Sequence, residues 1–189
     1  MMTRYTPTAI ALHWIIAVVM AGTFALGLYM QGLPLSPSKL QFYSYHKWAG
    51  VSAFLLVLVR LIWRMGHPAP AMPGAMSSAM QRVAGAAHTI LYLLMLAIPI
   101  SGWLMSSAKG FQTVWFGVIP LPDLVARDKT LGEQLHLLHQ ILNYSTLLLL
   151  IGHVFAAFKH HLVDRDDVLI RMLPWASSQH SSTSSEKVS

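Results

Sequence analysis

Cysteine is absent from this chain, and that absence removes several chemistries at once. Disulfides, iron–sulfur clusters, thiolate haem ligation, zinc–cysteine sites and covalent c-type haem attachment all need sulfur ligands. Charge is scarce as well. Only 11% of the 189 residues are charged, where ordinary soluble domains carry roughly 25%. Acids number seven, and none falls within the core of an apolar run. Strand-like alternation is missing too, so the long apolar blocks read as helices rather than as a barrel. What remains is an integral membrane protein with 54% hydrophobic residues.

Histidine is what the chain has in excess, with ten residues, so any metal centre must rest on imidazole. The formal charge of +6 is assigned to the lysine and arginine bias of cytoplasmic flanks, not to nucleic acid.

Four spans are expected, at about 9–30, 45–64, 82–105 and 133–161, in one domain over 1–175. The first follows Arg4, but its apolar run of about 22 residues exceeds the roughly 7–15 of a signal peptide core, so it is read as retained. Gln31 to Ser38 forms a turn with two prolines. The second span is broken by Gly66-His67-Pro68-Ala69-Pro70 and Met72-Pro73-Gly74. Pro99 is expected to kink the third. Between spans three and four, Phe111 to Pro120 is aromatic but too short to cross, and is expected at the interface. Asp164 to Trp175 is an amphipathic charged segment. The serine-rich stretch 176–189 is expected to be disordered. Arg4, Arg60, Arg64, Arg82, Lys159, Arg165, Arg171 and Lys187 lie on one side of these spans, against Lys39, Lys47, Lys109, Arg127 and Lys129 on the other. Both termini are therefore expected in the cytoplasm.

The fourth span organises the rest. His139 and His153 are fourteen residues apart, about 3.9 helical turns and a rise of roughly 21 Å. They share a face at two depths, and an intramembrane histidine is a functional-site hypothesis by default. The topology sets His46 at the level of His139, and His13 at the level of His153. Each pair offers two imidazoles from two helices, as two planar haems with bis-histidine ligation require. The fourteen-residue interval recurs. From His13 it reaches Gly27, from His88 Gly102, and from His46 Arg60. Gly27 and Gly102 would let a flat ring approach the backbone at the outer level, and Gly50 would do so one turn below His46. Arg60 would meet a haem propionate at the inner level. The plainer alternatives are helix–helix hydrogen bonds for single histidines, snorkelling for Arg60 and Arg64, and an interfacial belt for Trp14, Trp48, Trp63, Trp103 and Trp115. His136 lies off the ligand face. His88 sits at the inner level, as a propionate partner or a structural group. Zinc or non-haem iron would need more ligands close together, often with a carboxylate.

These residues resemble the bacterial di-haem cytochrome b561 family. The likeness lies in Tyr5 with Ala11-Leu12-His13-Trp14, in His46-Lys47 with Gly50, in Val59-Arg60-Leu61 with Arg64 and Pro68, and in Ala87-His88 with Leu91-Tyr92. It continues through His139, Gly152-His153 and His160-His161 to Leu169-Ile170-Arg171-Met172-Leu173-Pro174. The resemblance implies a four-helix bundle with two haem b groups, ligated by His13 with His153 and by His46 with His139. It also implies electron exchange with membrane ubiquinone, with His160 or His161 as candidates for a hydrogen bond to a quinone carbonyl. The alternative for both is a basic interfacial anchor. Some members oxidise superoxide, and Lys47 beside a ligand would then steer a small anion, giving superoxide:quinone oxidoreductase activity. No catalytic side chain is assigned. Two other functions stand beside this one: the cytochrome subunit of a larger dehydrogenase or hydrogenase, with a docked protein partner, and a haem-free transporter or scaffold.

Overall fold

The computed structural model describes residues 4–71 and 76–175. Met72-Pro73-Gly74 and the 176–189 tail lie outside them. Four helices long and apolar enough to span a bilayer dominate: α1 (Pro7–Gln31), α2 (Pro37–Gly66), α3 (Ser78–Ala108) and α4 (Lys129–Lys159). All-α membrane architecture is thus established, and each helix runs longer than its apolar stretch alone indicates.

The extra turns come from end signals. Thr6, Ser36, Ser77 and Asp128 are N-caps whose side-chain oxygens accept backbone N–H groups of the first turn. Pro7 and Pro37 follow two of them, where a missing N–H costs nothing. So α2 begins at Pro37, inside the stretch that reads as a turn. Helix α3 runs through Pro99 to Ala108. Helix α4 closes in a single π-turn over His160–Asp164.

The bundle consists of two antiparallel hairpins. Helix α1 packs on α2, α3 packs on α4, and α2 also meets α3. Between α1 and α4 it is side chains that reach across, Phe24 to Tyr144 and His13 to His153. The buried apolar core is small, comprising Ile10, Ile16, Met30, Ala53, Val57, Ile98 and Ala108, while large apolar side chains face outward on every helix. That distribution suits lipid, which needs no apolar residue hidden from it.

The segment after α3 is folded and lies as a lid over one end of the bundle. Two short antiparallel strands, β1 (Val114–Trp115) and β2 (Ile119–Pro120), are joined by a tight turn with Phe116 and Gly117 at positive φ. The primed hairpin turn demands that conformation, and glycine supplies it without strain. Lys47 Nζ donates to the Phe111 carbonyl (2.9 Å) and Trp48 Nε1 to that of Val114 (2.6 Å). Trp115 Nε1 reaches Ser52 Oγ (3.3 Å), and Trp103 Nε1 the Pro122 carbonyl (3.0 Å).

The opposite end is tied in the same way. Trp14 Nε1 donates to the Met172 carbonyl (2.8 Å), Trp63 Nε1 to Thr6 Oγ1 (3.0 Å), and Arg4 to the Leu173 carbonyl. Arg171 donates to the Ala71 carbonyl (2.6 Å) and pairs with Asp167 (2.8 Å). Five tryptophans therefore staple loops and chain ends to helices, a role more specific than an interfacial belt. Each such bond contributes about 0.5–1.5 kcal/mol net.

Candidate functional site

Four histidines meet in two pairs, one toward each end of the bundle. The rings of His46 (α2) and His139 (α4) have centres 6.4 Å apart, and those of His13 (α1) and His153 (α4) 6.3 Å apart. A ligating nitrogen lies about 2 Å from its metal and about 1 Å from its own ring centre, so two imidazoles opposed across one metal have centres about 6 Å apart. Both pairs have that spacing.

The pair at the lid end is held in one tautomer. His46 Nδ1 is 3.1 Å from the Thr23 carbonyl oxygen, and His139 Nδ1 is 3.1 Å from that of Ile98. A carbonyl only accepts, so each Nδ1 carries the proton and each Nε2 keeps its lone pair for a metal. Ser101 Oγ lies 2.9 Å from His139 Nδ1 and also donates to the Ile98 carbonyl at 2.8 Å. It is buried and absent from any reading by depth, because only the fold brings it to the imidazole.

Gly27 and Gly102 explain how the rings come so close to the helices. A Cβ at Gly27 would stand 3.2 Å from His46 Cε1, and one at Gly102 3.2 Å from His139 Cε1. The flat ring that each glycine admits is thus the imidazole of the neighbouring helix. The two arrangements are copies. In α1 the accepting carbonyl (Thr23) and the glycine (Gly27) are four residues apart, and in α3 Ile98 and Gly102 repeat the interval. The α1–α2 and α3–α4 hairpins present one motif twice. A Cβ at Gly50 would meet, among the described residues, nothing of the other helices within 4 Å, so this glycine borders open space.

The other end is built differently. His88 (α3) stands edge-on to His153, with ring centres 5.4 Å apart at 71°. Arg60 does not snorkel. It is 9% exposed, and its guanidinium donates to the Ala9 carbonyl (2.6 Å) and to the Tyr92 hydroxyl (2.9 Å). It makes no ion pair with a carboxylate among the described residues. Arg64 is exposed and lies over the Tyr92 ring, 5.8 Å from its centre. Arg60, Arg64, Tyr5, Tyr92, Trp63 and His67 line one recess there. A buried cation without an anion is costly, and the carboxylate arms of a haem would relieve it. The donor set of free imidazole nitrogens, an acid-free arginine and imidazole-fitted grooves therefore suits haem.

The adjacent histidines His160 and His161 diverge. His160 Nδ1 is 2.7 Å from Asp166 Oδ2 and 3.2 Å from Asp164 Oδ2, with its side chain 16% exposed. His161 is exposed. Lys159 binds both oxygens of Asp164 at 2.7 and 2.8 Å, which disfavours a cation among His160, Asp164 and Asp166. Lys47, tied to the lid, keeps its ammonium at the His46 end.

A family model described as prokaryotic cytochrome b561 matches residues 4–175. Cytochrome b561 homolog 2 of Escherichia coli K12 is 35% identical over 94% of this chain and 95% of its own length. Cytochrome b561 homolog 1 of the same organism is 28% identical over 92% and 98%. A probable superoxide oxidase CybB of Yersinia pestis is 24% identical over 90% and 96%.

Proposed function

Because this chain belongs to the prokaryotic cytochrome b561 family, electron-transferring haem b proteins of the bacterial inner membrane, we propose that it holds two haems and carries electrons between a small anionic donor and ubiquinone. The observation behind this is the pair of imidazole couples at two levels of one bundle, with ring centres 6.4 and 6.3 Å apart. His46 and His139 would ligate the outer haem, and His13 and His153 the inner. When bound, each haem would supply a one-electron iron couple, and two histidines held to each iron would favour outer-sphere transfer over oxygen binding.

The chain's own residues do the rest. Nδ1–H bonds to Thr23 and Ile98 orient the outer imidazoles. Arg60 and Tyr92 would hold a haem carboxylate at the inner end, near His88. Gly27, Gly102 and Gly50 leave the space these rings need. The arginine and lysine distribution supports both termini in the cytoplasm, so the lid faces the periplasm.

Superoxide is the donor we favour. One relative carries the name superoxide oxidase, and Lys47, with Lys109, Arg127 and Lys129, puts cations at the lid end, where they would draw in a small anion. Two superoxide ions each give up one electron and leave as dioxygen. Ubiquinone takes the two electrons with two protons and becomes ubiquinol. His160 is the better placed of the neighbouring histidines to meet the quinone, since Asp166 fixes its Nδ1 side and Nε2 has no protein partner among the described residues.

Stopped-flow mixing of the oxidised holoprotein with superoxide and ubiquinone tests this. Reduction of the b-type absorption followed by ubiquinol, slower at high salt and in Lys47→Glu, is expected. Haems that superoxide does not reduce would refute the donor.

A further inference from the structure

The two histidine couples differ in what stands behind them. Behind the lid-end couple, both imidazoles donate Nδ1–H to main-chain carbonyls, at 3.1 Å in each case, and His139 has Ser101 Oγ at 2.9 Å as well. Behind the other couple, neither His13 nor His153 hydrogen-bonds a protein atom among the described residues. Their neighbours are rings: Trp14 edge-on to His13 at 5.5 Å, and His88 edge-on to His153 at 5.4 Å. The repeated motif of the two hairpins thus serves one couple only. His13 and Arg60 occupy, in α1 and α2, the positions that His88 and His153 occupy in α3 and α4.

An imidazole that gives its second N–H to an acceptor is a more basic ligand, with partial imidazolate character. A more basic axial ligand stabilises ferric over ferrous iron and lowers the reduction potential. A carbonyl held in a helix cannot turn away, so the effect is built into the backbone. From these contacts we infer that the His46–His139 centre has the lower potential and the His13–His153 centre the higher, so that electrons run downhill from the lid end to the opposite end. Ser101 acts as a positioning residue that strengthens this bias by sharing the His139 Nδ1–H with Ile98. The inference rests on the two-haem ligation proposed above, and it holds whatever the donor.

An anaerobic potentiometric titration of the purified holoprotein, followed in the b-type absorption, tests it. Wild type should titrate in two steps, and Ser101→Ala should raise the lower step and leave the upper one in place. In single-haem variants, the centre that survives His153→Ala should titrate below the one that survives His46→Ala. Movement of the upper step in Ser101→Ala, movement of neither step, or the reverse order in the single-haem variants would overturn the inference. One haem per chain in wild type would remove the two-haem reading along with it. Two haems in the reverse order would overturn the inference alone.

Discussion

The position a Cβ would take on Gly102 lies 3.2 Å from Cε1 of His139. That is tighter than an ordinary carbon–carbon contact, and the imidazole is not free to swing away without loosening the bonds from its adjacent Nδ1 to Ile98 and Ser101. Gly27 stands in the same relation to His46. The glycines are therefore part of the lid-end site, although neither can touch a metal.

Replacing either glycine with valine should displace the imidazole and cost the lid-end haem alone. Alanine should weaken its retention without abolishing it. Haem-to-protein ratios from pyridine haemochrome spectra measure this, with a fall of about half expected for Gly102→Val and for Gly27→Val. A full complement in both valine variants would show that the grooves have slack.

Arg60 should matter in opposite senses with and without haem. Among the described residues, its buried charge meets a carbonyl and a hydroxyl and no carboxylate. In Arg60→Leu the inner haem should leave about tenfold faster or more, as expected for losing a charge-assisted hydrogen bond. The apoprotein should unfold no more readily than wild type. Haem transfer to apomyoglobin and thermal unfolding of the apoprotein give the two readings.

Trp48→Phe should loosen the lid and spare the haems. The substitution removes one indole N–H bond to Val114, worth about 0.5–1.5 kcal/mol, and keeps most of the ring that packs on Phe116. Faster amide exchange over 111–122 at unchanged haem content is the expected result.

Much of this was legible in the sequence, because the signals are local. Apolar runs set the four spans. The fourteen-residue interval separated His139 from His153 in depth, and the alternating direction of the spans set His46 and His13 at those two levels, without reference to any long-range contact. Helix bounds were harder, since Ser36 with Pro37 and Ser77 extend α2 and α3 beyond their apolar cores. Gly27 and Gly102 could be singled out by spacing, but not the ring that fills the space beside them, which comes from another helix. Ser101, the lid and the tryptophan staples were invisible, because partners such as Trp14 and Met172 are separated by 158 residues and only the fold joins them.

At the opposite end, His160 and His161 are adjacent in sequence and only one is braced by a carboxylate. Asp166→Asn should slow ubiquinone reduction severalfold with an unchanged haem spectrum, while His161→Ala should leave it near wild type. Steady-state ubiquinol formation in liposomes distinguishes them. Equal rates in both variants would place the quinone elsewhere.

Four histidines, on the reading proposed here, make two haem sites, each shared between two helices. Haem quantitation on wild type and on the four single His→Ala variants tests it most directly. Two haems per wild-type chain are predicted. His46→Ala and His139→Ala should lose one and the same spectral component, and His13→Ala and His153→Ala the other. A colourless wild-type protein, or loss of one component from His46→Ala and the other from His139→Ala, would contradict it.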